Sequence, residues 1–104
     1  MAMKAHTNRP HYYSGTKTNV IRIFRILKKA SKDGEGHISI SEISRRTGLH
    51  RWTVSRTLDV WMSHFVEIVV PEELEHVGLK LKLVRLNNVS ISEESVMRSM
   101  KIRL

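Results

Sequence analysis

No cysteine occurs anywhere in the 104 residues. Disulfides, thiolate chemistry and cysteine-ligated zinc are therefore excluded, which suits an intracellular protein. Proline appears only twice and aromatic residues make up 6% of the chain, so few positions break a helix and few can anchor a large aromatic core. Acidic residues are also scarce, ten against 18 Lys and Arg, leaving a net charge of +8. No apolar run approaches the roughly 18 residues of a membrane span. The opening Met1-Ala2-Met3-Lys4-Ala5-His6 lacks the apolar segment of a signal peptide. The expectation is a cytoplasmic protein with no membrane partner.

Catalytic constellations are missing too. Asp33 and Asp59 are the two aspartates, and neither suggests pairing with a histidine and a serine. The histidines (6, 11, 37, 50, 64 and 76) include no i,i+4 or His-x-His pair, so metal ligation is not expected. There is no glycine-rich phosphate loop with its lysine. We expect no enzyme activity, no cofactor and no small-molecule ligand.

What is present is basic charge, unevenly placed. Residues 1–66 carry twelve basic and four acidic residues, residues 67–79 carry four acidic and no basic ones, and residues 80–104 are basic again. A surplus of this kind favours a polyanionic partner, nucleic acid or an anionic surface.

Three segments follow from composition and periodicity: a flexible basic arm over 1–17, a folded domain over 18–87 and a tail over 88–104. Thr18 reads as the N-cap of a helix running to Lys32, ended by Gly34 and Gly36. At 3.6 residues per turn Val20, Ile23, Phe24, Leu27 and Ala30 share a core-facing stripe, with Arg22, Arg25, Lys29 and Lys32 opposite. His37-Ile38-Ser39-Ile40 alternates briefly and predicts a one-rung strand. Ser39 or Ser41 then caps a helix to Thr47, with Glu42 in its first turn and Arg45 and Arg46 in its last, the signs the helix dipole favours.

Gly48 permits a tight turn into a second helix, about His50 to His64. Val54, Leu58, Trp61 and Phe65 fall in one narrow arc and claim the core, and Asp59 reads as an i,i+3 partner of Arg56. Trp52 and Arg56 project away from the core, with Arg51 and Ser55 at the margins. Phe65–Val70 and the strictly alternating Leu79–Leu83 read as two antiparallel strands, with Leu79, Leu81 and Leu83 facing the helices and Lys80 and Lys82 facing out. In the tail, Ser90 and Glu93 form a capping-box pattern, and Val96, Met97, Met100 and Leu104 make an apolar stripe. That helix either packs back or supports a homodimer, the dimer being slightly favoured. The fold class is mainly α with a small antiparallel β-hairpin: a three-helix bundle plus wing, with a short C-terminal helix.

Gly48-Leu49, followed after three residues by Thr53-Val54-Ser55-Arg56, resembles the Gly-Val-Ser-x-x-Thr-Val-Ser-Arg core of bacterial-type helix-turn-helix regulators. The order of elements from Val20 to Leu86 is similar to the winged helix-turn-helix architecture of bacterial and archaeal transcription regulators. The resemblance implies that residues 50–64 form a recognition helix whose N-terminal half enters a major groove of double-stranded DNA. It places His50, Arg51, Trp52, Thr53, Ser55 and Arg56 near DNA, with Arg45, Arg46, Lys80 and Lys82 as flanking backbone contacts.

The sequence departs from that pattern in four places. Trp52 stands where a polar residue is usual, His50 where a serine caps the helix, and Phe65 where glycine is common. The loop tip at Glu72-Glu73-Leu74-Glu75 is acidic where wings are basic. The function expected is a nucleoid-associated DNA-binding transcriptional regulator. The alternatives are a winged-helix interaction module that binds protein or RNA within a larger complex, and a non-specific nucleoid-coating protein.

Overall fold

A computed structural model describes the backbone of residues 2–72 and 81–103, and the side chains of residues 15–72 and 81–100. Its first helix, α1 (Ala2–Lys32), presents the expected stripe: Val20, Ile23, Phe24, Leu27 and Ala30 are all buried. Each large member stabilises the fold by about 1.5–3 kcal/mol on burial. The expected start at Thr18 is corrected, because the helical backbone is continuous from Ala2 and the division between residues 17 and 18 falls inside α1. Thr18 has no break before it to cap, and an interior glycine such as Gly15 costs only about 1 kcal/mol relative to alanine.

The end of α1 falls where the two glycines suggest. Gly34 takes φ 77°, its N–H donates to Ser31 O at 3.3 Å, and the Glu35 N–H reaches back to Ala30 O at 2.9 Å. This pair of bonds is the Schellman arrangement, which needs a left-handed residue that glycine adopts without strain. The chain then forms β1 (Ile38–Ser39) and passes directly into α2 (Ile40–Thr47). Ser39 is the cap: its Oγ accepts the Glu42 N–H at 3.0 Å.

Gly48 follows with φ 79° and closes α2 by donating its N–H to Ser44 O at 2.9 Å. Next is α3 (Arg51–Trp61), shorter at its C-terminus than the expected helix to His64. Met62 leaves helical geometry at φ −118°, and Phe65 donates its N–H to Met62 O at 2.8 Å. The turn thus closes without positive φ, so Phe65 serves at the exit where glycine is common. Val54 and Leu58 are buried as the arc requires, while Trp61 and Phe65 pack against the core only in part. Met62 and Thr57, not singled out by the spacing, are buried as well.

Two strands follow, β2 (Val66–Val69) and β3 (Leu83–Leu86). With β1 they form an antiparallel sheet in the order β1-β3-β2, pairing Ile38 with Val84, Ile68 with Val84 and Val66 with Leu86. The expected strand Leu79–Leu83 is corrected: among the described residues pairing begins at Leu83, and the buried residues of that strand are Val84 and Leu86. Leu81 and Leu83 are only half-buried and Leu79 lies outside the described residues. The physical reason is a phase slip, since the adjacent apolar pair Leu83-Val84 shifts the alternation by one residue and a strand's faces exchange with each such shift.

The last helix, α4 (Glu93–Arg103), lies against α1. Its cap is Ser92, whose Oγ accepts the Ser95 N–H at 3.1 Å. Ser90 and Glu93 form no capping box, because Glu93 instead bonds Arg25 of α1. Val96 and Met100 are each 1% exposed and Met97 is partly buried against the core, so the described part of the apolar stripe packs back onto the domain. Leu104 lies outside the described residues. Among the described residues four helices and one small antiparallel sheet make a mainly α domain, consistent with a winged-helix-type fold with an added C-terminal helix.

Candidate nucleic-acid interface

The α2–α3 turn is fixed by local bonds. Ser44 Oγ donates to Leu49 O, Thr47 Oγ1 donates to Ile43 O at 2.7 Å, and the Leu49 N–H donates to Thr47 Oγ1 at 3.2 Å. With Leu49 packed against the core, these bonds set the angle at which α3 leaves α2. His50 is the N-cap of α3, its Nδ1 accepting the Trp52 N–H at 3.0 Å. Histidine therefore does the work expected of serine here. With Nδ1 accepting that bond, Nε2 is the ring nitrogen left to donate outward.

Beyond the cap, α3 divides its residues by direction. Val54, Thr57 and Leu58 point inward, and Thr57 Oγ1 satisfies itself by donating to Thr53 O at 2.7 Å. Arg51, Trp52 and Arg56 are exposed, whereas Thr53 and Ser55 are half-buried at the flanks. One flank meets the sheet: Arg51 and Ser55 line a hollow of about 250 Å³ together with Ile40, Ser41, Leu81 and Lys82. Ser41 is the residue that sequence reasoning missed there, although its place in the first turn of α2, beside the helix start, is the signal that could have found it. The other flank meets α1, where Trp52, Thr53 and Arg56 border a cleft of about 370 Å³ with Thr16 and Asn19.

Trp52 is 64% exposed, and the Arg56 guanidinium carbon lies over its ring, 5.6 Å from the centroid. This stacking replaces the expected pairing of Arg56 with Asp59; no ion pair links those two residues. A tryptophan face attracts a guanidinium through its quadrupole while leaving the donor edges of the fork free.

The other expected cations have different surroundings. Arg46 donates through Nε to Glu42 at 2.6 Å and through both terminal nitrogens to Glu35 at 2.6 and 3.0 Å. Arg45 also bonds Glu42, with Nε at 3.0 Å. Glu42 consequently has its carboxyl lowered to about 2 by hydrogen bonds from Arg45 and then Arg46. Arg46 lowers that of Glu35 in the same way. These pairs tie the glycine loop after α1 to the back of α2. At the sheet, Glu67 accepts from His37 at 3.1 Å and Arg85 at 3.3 Å, and both bonds lower its carboxyl below the usual range.

The structure therefore brings Arg51, Ser55 and Lys82 together, stacks Arg56 on Trp52 and ties Arg45 and Arg46 into ion pairs. Lys80 and the acidic tip at Glu73, Leu74 and Glu75 lie outside the described residues, while Glu72 is exposed. Among the described residues no cluster of His, Asp and Glu has the makings of a metal site, and no helix is long and apolar enough to cross a membrane. No family model matches the chain, and no curated protein or solved structure matches it either.

Proposed function

We propose that this chain is a sequence-specific double-stranded DNA-binding protein acting as a transcriptional regulator, which lays the N-terminal half of α3 in the major groove. The observation that carries this reading is the division of labour on α3: the core takes Val54, Thr57 and Leu58, while Arg51, Trp52 and Arg56 stay exposed. In this reading Arg56 donates its fork to a guanine edge and Arg51 and Lys82 neutralise phosphates. Ser55, Thr53 and Ser41 add hydroxyl contacts at the flanks, and His50 Nε2 donates to a phosphate near the helix start. The role is binding without catalysis, and it calls for no cofactor.

A second reading, an interaction module for protein or RNA, is favoured by one observation, the 64% exposure of Trp52, since exposed aromatics anchor interfaces. Selection of bound duplexes from a random pool, followed by salt titration on selected and scrambled sites, tests the proposal. A regulator retains a strong preference for the selected sequence at physiological salt. Steep salt dependence without preference marks a coating protein, and weak duplex binding at that salt marks an interaction module.

A further inference from the structure

The Trp52–Arg56 pair has a geometry that bears on which bases are read. The two residues are four apart on one helix face, and stacking holds the guanidinium 5.6 Å from the indole centre. Arg56 covers part of the ring, yet Trp52 as a whole remains 64% exposed, so apolar surface is still available beside a fixed donor fork. Neighbouring base pairs are about 3.4 Å apart, a spacing that lets two groups this close address adjacent pairs. Within an intact duplex a groove-bound helix meets base edges, not base faces. The apolar feature on a base edge in the major groove is the C5 methyl of a pyrimidine.

Resting on the reading of α3 as a groove-binding helix, we infer that Trp52 and Arg56 recognise as one unit a guanine adjacent to a 5-methylpyrimidine. Arg56 donates to O6 and N7 of the guanine, and the indole covers the neighbouring methyl group. The ring also orients the fork before DNA arrives, so less rotamer freedom is lost on binding. Because the recognised feature is the methyl group and not the whole base, thymine and 5-methylcytosine serve alike, provided Arg56 retains its guanine. Cytosine and uracil at that position lack the group and are discriminated against.

The test uses the full chain and the best duplex recovered from a random pool. The thymine next to the essential guanine is replaced by deoxyuridine, which removes one methyl and leaves pairing intact. Loss of about fourfold in affinity is expected, the fold-change that one buried methyl-sized group confers. A duplex with 5-methylcytosine paired to guanine at that position should outbind its cytosine counterpart by a similar factor. Trp52→Ala and Trp52→Gln should erase both differences while melting like the native chain, since the ring lies outside the core.

Equal affinity for thymine and deoxyuridine duplexes, with strong sequence preference retained, overturns this inference and leaves the groove reading intact. A methyl effect that persists in a folded Trp52→Ala chain overturns it as well. Absence of duplex binding for every sequence removes the groove reading itself. The deoxyuridine comparison needs no variant, so a misfolded substitution does not spoil it.

Discussion

Arg25 on α1 grips Glu93 at the first residue of α4, with Nε 2.8 Å from one carboxylate oxygen. The second contact between these segments is Lys28, which donates to the carbonyls of Val89 and Ile91, the latter at 2.9 Å. Polar bonds thus position the start of α4, but its holding energy lies further along, where Val96 and Met100 are buried. Arg25 is two-thirds exposed, and surface ion pairs contribute little after screening and side-chain ordering. Met100→Ala should therefore cost about 2–5 kcal/mol, whereas Arg25→Ala should move the thermal midpoint far less. Denaturant melts of both variants decide the point, and a larger loss from Arg25→Ala would contradict it.

Acid stability should be governed in part by Glu42. Its carboxyl is held at about 2 in the folded chain, against an ordinary value of 4.5, by hydrogen bonds from Arg45 and Arg46. A folded value below the unfolded one means that the unfolded chain takes up the proton first. The contribution of Glu42 is thus complete above about pH 4.5 and fades as the pH falls toward 2. Glu42→Gln should be less stable than the native chain at neutral pH, and the gap should narrow steadily across that window. Thermal midpoints measured from pH 7 down to pH 2 provide the comparison.

His50 joins local stability to binding. Its Nδ1 satisfies the Trp52 N–H at the start of α3, and loss of an N-cap costs about 0.5–2 kcal/mol. His50→Ala should lose that amount, and His50→Ser should recover it because a hydroxyl caps the same donor. If Nε2 contacts a phosphate, the serine variant recovers stability but not affinity. Melting and duplex titration on the two variants separate the roles.

The sheet marks where sequence reasoning ran out. The α1 stripe, the turn at Gly48 and the buried pair Val54 and Leu58 were legible because each follows from residues within one or two helical turns. The phase of β3 was not: Leu79–Leu83 alternates strictly, whereas Leu83–Leu86 breaks the alternation at the Leu83-Val84 pair. The choice rests on Val84 meeting Ile38 and Ile68, residues distant in sequence. Likewise Ser92 caps α4 because Arg25, on another helix, claims Glu93. Leu86→Ala should accordingly cost about 2–5 kcal/mol, and the half-buried Leu81 should cost clearly less when truncated. Equal losses would restore the other phase.

The candidate site divides along a similar line, and the arginines test it most directly. By resemblance Arg51 and Arg56 lie on the recognition helix with Arg45 and Arg46 flanking it, but the sequence does not tell which of the four charges is already paired. Only the fold brings Glu35, eleven residues before Arg46, against its guanidinium. Arg51 and Arg56 form no ion pair among the described residues, and their charge is open to phosphate or base. Arg46→Ala should therefore lower the thermal midpoint and leave duplex affinity nearly unchanged where the variant is folded. Arg51→Ala should melt like the native chain yet bind every duplex more weakly, reducing the salt slope by about 1 if it contacts a phosphate. Arg56→Ala should cost about 1–3 kcal/mol on the selected site alone and relax preference for its guanine. Uniform loss for Arg56→Ala would move that side chain to the backbone, and unchanged binding for both Arg51→Ala and Arg56→Ala would take α3 out of the groove.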